Sequence, residues 1–195
     1  AYTPMTPRKS EICWRFGIPP REEPRVLADG FSVRLPHGAI LLLVGPSGSG
    51  KSSILTALAE QAGKVAWVRR GRFPTGRSIV DAIAPHQPLV TALEILTACG
   101  LGEPRLWVRQ FNDLSQGEKF GVCLARAVGQ ALRAGAPRPI VCDEFTSLLH
   151  RRAAKALAHN LRKLVSREKL TLLVAATHED IIEDLQPDQL IRLGA

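Results

Sequence analysis

Long apolar runs without an alternating polar face mark the strands of this chain. Ala39-Ile40-Leu41-Leu42-Leu43-Val44 carries no polar position, as expected of a parallel strand covered on both faces. A glycine-rich loop follows it, and then a helix from Lys51 to about Gln61. Pro139 to Phe145 and Thr171 to Ala176 read as two further buried strands, with shorter ones at Lys64 to Val68 and Leu190 to Leu193. Helical periodicity appears around Thr91 to Cys99, from Gln116 to about Arg133 behind the N-cap residue Ser115, and from Leu148 to Val165. The last of these sets Leu149, Ala153, Ala156, Leu157, Asn160, Leu161 and Leu164 along one stripe. Upstream, Ile12 to Phe16 and Gly30 to Leu35 read as strands, separated by a loop rich in proline and charge. Strands alternating with helices predict an α/β fold with a parallel sheet and helices on its faces.

Composition narrows this picture only slightly. With 195 residues, 45% hydrophobic and 23% charged, the chain suits one compact domain spanning 1–195. No apolar run approaches the roughly 20 residues that span a bilayer, and the first residues do not read as a secretory signal. Cys13, Cys99, Cys123 and Cys142 form no C-x-x-C pair and sit among apolar neighbours. Buried reduced thiols are therefore expected, which points to the cytoplasm. The net charge of +8 admits a nucleic-acid partner, an anionic membrane surface or a solvated basic face. Arg69-Arg70-Gly71-Arg72 and the helix cations Arg151, Arg152, Lys155, Arg162 and Lys163 contribute most of the clustering.

The loop after the first buried strand carries the chemistry. Gly45-Pro46-Ser47-Gly48-Ser49-Gly50-Lys51-Ser52 fits G-x-x-x-x-G-K-[ST] between a strand and a helix, and Ser53 continues into that helix. Its glycines let successive N–H groups curl inward onto phosphate oxygens. The helix N-terminus adds partial positive charge, Lys51 adds a full charge for the β and γ phosphates, and the Ser52 hydroxyl is placed to ligate Mg²⁺.

Three further segments resemble one family. Leu114-Ser115-Gln116-Gly117-Glu118, followed by Leu124-Ala125-Arg126-Ala127, looks like the signature of the ABC (ATP-binding cassette) ATPases and its helix. Ile140-Val141-Cys142-Asp143-Glu144-Phe145-Thr146-Ser147 resembles the Walker B strand and the turn after it, and Ala176-Thr177-His178 resembles the switch-histidine segment. The resemblance runs from about Ile12 to Leu193. It implies a P-loop NTPase with an ABC-type, mainly parallel core, an N-terminal antiparallel β portion and a helical subdomain at about 87–133, shorter than in typical transporters. It further implies ATP and Mg²⁺ as ligands. Asp143 would hold the metal, Glu144 would orient or deprotonate the attacking water, and His178 would donate to the γ phosphate. Ser115 and Gly117 would complete the site of a second copy in a head-to-tail homodimer.

Two further roles follow from the resemblance. Phe16, or else Trp14, is the candidate to stack on adenine, and Gln87 is the candidate sensor of Mg²⁺. Departures from the family pattern are His150 in place of an Asp, Phe145 in place of a Pro, and the S-x-G-E ending at Glu118. The short helical region and the basic charge lean the expected work of ATP hydrolysis toward a nucleic-acid-linked or fused partner. A membrane transporter subunit and a non-hydrolysing ATP-dependent clamp are the alternatives.

Overall fold

The computed structural model describes residues 4–19, 31–68, 73–74, 76–133 and 138–194. They fall into two units, Ala1–Phe31 and Ser32–Ala195.

The first unit holds helix α1, Pro7–Phe16, where a strand over Ile12 to Phe16 was expected. Local capping explains the difference. The Thr6 side chain accepts a hydrogen bond from the Lys9 N–H (3.2 Å), and Pro7 opens the helix. Gly17 closes it in the left-handed conformation, with φ at 62°. A threonine–proline start and a glycine stop outweigh five residues of apparent alternation.

The second unit is built on strands β1 (Ile40–Val44), β2 (Ala66–Trp67), β3 (Ile140–Cys142), β4 (Leu172–Ala176) and β5 (Gln189–Arg192). They form one sheet in the order β2-β3-β4-β1-β5, and every pair is parallel. The antiparallel β portion does not appear among the described residues: 31–35 carries no strand, and Gly30 lies outside them.

Both faces of the sheet are covered at its inner strands, which is why β1, β3 and β4 are apolar throughout. Leu41 and Leu43 of β1 pack on Ile54, Leu55 and Leu58 of helix α2, Lys51–Ala62. Ile40, Leu42 and Val44 face the larger core, built by α3 (Ile79–Ile83), α4 (Leu89–Ala98), α5 (Pro104–Trp107), α6 (Gln116–Ala131) and α7 (Arg151–Glu168). Each fully buried leucine of β1 contributes about 1.5–3 kcal/mol of transfer free energy. At the amino end of the sheet, Asp188 Oδ2 accepts from the Ile40 N–H (2.8 Å) and from Arg162 of α7 (2.6 Å). Burial pushes the Asp188 carboxyl up, but the Arg162 guanidinium and the Ile40 N–H outweigh it and hold it below its usual range.

α7 begins three residues later than its apolar pattern suggested, because His150 caps it: the His150 Nδ1 accepts from the Arg152 N–H (3.4 Å). The buried stripe is Ala154, Leu157, Ala158, Leu161, Leu164 and Val165, so Leu157, Leu161 and Leu164 fall where expected while Ala153 and Ala156 face solvent. Cys99, Cys123 and Cys142 are buried, and the described residues form no disulfide. Among the described residues, no helix is long and apolar enough to cross a membrane.

Candidate nucleotide site

Parallel strands deliver their carboxyl ends to one edge, and the register shows which loops meet there. Val44 at the end of β1 lies beside Ala176 at the end of β4, and Cys142 at the end of β3 lies beside Val174. β4 therefore sits between the strand feeding the glycine-rich loop and the strand feeding Asp143 and Glu144. Crevices at such an edge are where open α/β sheets bind ligands.

A cavity of about 260 Å³ occupies this position. The loop and α2 line it with Ser47, Gly48, Gly50, Lys51, Ser52 and Ser53; Asp143 and Glu144 enter beyond β3, and Thr177 enters beyond β4. Gly45, Pro46 and Ser49 stand behind these as partners of Lys51. The Lys51 Nζ donates to Gly45 O (2.7 Å), Pro46 O (2.6 Å) and Ser49 Oγ (3.4 Å). The ammonium thus folds the loop around itself, with its charge at the cavity wall. Asp143 Oδ1 accepts from the Glu144 N–H (2.9 Å), which fixes the carboxylate against the turn. Ser52 and Asp143 offer hard oxygen donors on one cavity, a set that fits Mg²⁺ completed by phosphate and water.

Gly45 shows how little freedom this loop has. Its φ is 156°, and a Cβ there would lie 2.4 Å from Leu193 O and 3.0 Å from Ser49 Oγ. Gly45→Ala is expected to destabilise the fold by about 2 kcal/mol or more, from backbone strain and the clash together. Urea unfolding monitored by circular dichroism checks this, and an unchanged midpoint would count against it.

Of the remaining expected site residues, His178, Ser115, Gly117 and Gln87 are not among those lining this cavity. His178 is exposed, one residue past Thr177, near enough to Asp180 to help lower that carboxyl after the Arg151 hydrogen bond has done most of it. Ser115 is the N-cap of α6 in a capping box. Its Oγ accepts from the Glu118 N–H (3.3 Å), and Glu118 Oε2 accepts from the Ser115 N–H (2.7 Å). The hydrogen bonds from the Ser115 side chain and backbone hold the Glu118 carboxyl below its usual range. Neither Ser115 nor Gly117 lines the cavity of its own chain.

Gln87 is also away from the cavity. Its amide donates to Leu132 O (3.4 Å) and lines a separate pocket with the carboxyl end of α6. Gln87 lies twenty residues past Trp67, the end of β2, and just ahead of α4; its expected metal contact is not supported by this placement. Phe16 is 74% exposed and Trp14 84% exposed, both on α1 of the first unit. Thr177 was not singled out from sequence, although it is the first residue beyond a buried strand that ends at the site edge.

The basic clusters change meaning as well. Arg69 to Arg72 lie outside the described residues. On α7, Arg151 is paired with Asp180, past the carboxyl end of β4, and Arg162 with Asp188 (2.6 Å) at the amino end of the sheet, so two of its cations hold the helix at opposite ends of the sheet.

A strand, a phosphate loop with its lysine, and two carboxylates facing it across a parallel-sheet edge define a P-loop nucleoside triphosphatase. The AAA ATPase domain family model matches residues 21–190. The lipoprotein-releasing system ATP-binding protein of Novosphingobium aromaticivorans is 30% identical over 201 residues, covering 84% of this chain and 86% of that protein. The aliphatic sulfonates import ATP-binding protein of Mesorhizobium japonicum is 30% identical over 171 residues, covering 80% of this chain. The chain belongs to the ABC family of ATP-binding cassettes. It spans 66% of the length of the sulfonate relative and 27% of that of an oligopeptide transport ATP-binding protein from Mycobacterium tuberculosis. In fold it resembles the dimeric structure of MJ0796, a bacterial ABC transporter cassette, with a TM-score of 0.62 at 20% identity over 83% of this chain and 84% of that one.

Proposed function

We propose that this chain is the ATP-hydrolysing cassette of a membrane transporter, closing head-to-tail with a second copy around two Mg-ATP. The observation that carries the ATPase reading is the meeting of Lys51, Ser52, Asp143 and Glu144 on one cavity. Lys51 holds the β and γ phosphates, with the loop N–H groups completing the cradle. Ser52 and Asp143 would hold Mg²⁺, which would neutralise phosphate charge. Glu144 orients the attacking water and takes its proton, and His178 stabilises the charge that develops on the γ phosphate. Ser115 and Gly117 serve the other copy: neither lines the cavity of its own chain, and both stand at the N-terminus of α6, where the helix dipole favours an anion.

The transporter reading is supported by relatives named as ATP-binding proteins of an importer and of a lipoprotein-releasing system. It replaces the nucleic-acid linkage expected from charge, which the relatives named above do not support and which the ion pairs of α7 weaken. Phosphate release from Mg-ATP by the purified chain, at low salt with and without duplex DNA and RNA, tests both parts. We expect turnover that nucleic acid leaves unchanged. No phosphate release would sink the ATPase reading, and stimulation by nucleic acid would sink the transporter reading.

A further inference from the structure

Between Cys142 and Arg151 the chain makes a turn that its sequence should resist. Glu144 and Thr146 both take left-handed backbone conformations, with φ at 51° and 63°. Thr146 is β-branched and 1% exposed, and its buried Oγ1 has no hydrogen-bond partner. Conformations of this kind persist only where the surroundings impose them.

The residue between the two explains the turn. The Phe145 ring is 1% exposed, with its centroid 6.2 Å from that of Phe120 on α6 and the planes inclined at 57°. The Phe145 N–H donates to Ala175 O of β4 (2.8 Å). With its ring buried in the core and its N–H held on the sheet, Phe145 leaves the flanking residues no extended path. Glu144 is turned outward to the nucleotide cavity, and Thr146 is turned inward. A second contact joins the same turn to the same helix: a Cβ on Gly117 would lie 3.1 Å from Leu149 Cδ2. Gly117 and Phe120 are three residues apart, on one face of α6.

We infer that Phe145 is a positioning residue. Packed against Phe120 of the helix that Ser115 opens, it holds Glu144 in its left-handed conformation and so ties the aim of that carboxylate to the seating of α6. The inference rests on the hydrolytic role proposed for Glu144. It assigns a use to a residue that sequence reading marked only as a departure from its family pattern.

Phe145→Leu, Phe120→Leu and the double variant test it, with Glu144→Gln beside them. Each leucine variant should turn over ATP about tenfold more slowly, with equilibrium ATP affinity and KM within about threefold of wild type, because the carboxylate is misaimed while the phosphate cradle is untouched. The double variant should be no slower than the slower single, since both remove one contact. A merely structural role would lower affinity and rate together, and that pattern overturns the inference. So does a folded, ATP-binding Phe145→Leu protein with wild-type turnover. If Phe145→Leu does not fold, Phe120→Leu decides by the same criteria. If Glu144→Gln turns over normally, the role of Glu144 falls and the inference with it. An inactive Glu144→Gln beside a fully active Phe145→Leu sinks the positioning role alone.

Discussion

Glu144→Gln should lower phosphate release by about two to three orders of magnitude while leaving Mg-ATP affinity within about threefold of wild type. The substitution keeps the size of the side chain and removes its ability to accept a proton. Binding should survive because nothing in the phosphate cradle depends on Glu144. Lys51 is held by Gly45, Pro46 and Ser49, and Asp143 is anchored through the Glu144 backbone N–H rather than through its side chain. Slow hydrolysis should then let the closed state accumulate. Light scattering of the variant with and without Mg-ATP should show a monomer doubling in mass only when nucleotide is present. A dimer under both conditions would mean that closure is not driven by ATP. A monomer under both would mean that Ser115 and Gly117 need a region or partner outside this chain to meet a second cavity. Wild-type rates in the variant would remove Glu144 from the chemistry altogether.

What could be read from sequence followed the strength of the physical constraint at each position. β1 was legible because burial on both faces leaves no room for a polar residue, and the loop after it because Gly45 tolerates no Cβ. β3 was read too long. Its apolar run ends with the strand at Cys142, and Phe145, beyond the two carboxylates, is buried by a turn. Hydropathy reports burial and is silent on which element provides it. α1 was read as a strand because five alternating residues were weighed above the caps that bound a ten-residue helix. Gln87 was chosen as the available glutamine ahead of a helix, whereas position at the site depends on which strand feeds the loop, a property of sheet order. Strand order is itself not written in any local pattern. It placed Thr177 on the cavity and brought the turn after β3 against α6, and neither could be found from spacing along the chain.

Lys51→Ala should be the most damaging single change to nucleotide binding, lowering ATP affinity by about a hundredfold or more. Two losses combine. The variant removes the full charge that meets the β and γ phosphates, and charge-assisted hydrogen bonds of this kind contribute about 1.5–3 kcal/mol each. It also removes the cation that draws the carbonyls of Gly45 and Pro46 together, at 2.7 and 2.6 Å, and so shapes the loop. Carbonyls gathered without their cation repel one another, so the cradle should loosen even where its glycines are intact. Lys51→Arg separates the two effects. The longer, planar guanidinium keeps the charge but does not reproduce the compact three-donor geometry of an ammonium. Calorimetric titration with Mg-ATP should therefore rank wild type above Lys51→Arg and Lys51→Ala lowest. If the arginine variant bound as tightly as wild type, charge alone would account for the site and the folded-back geometry of Lys51 would be incidental. If alanine bound as tightly as arginine, the loop N–H groups and the α2 N-terminus would be carrying the phosphates unaided.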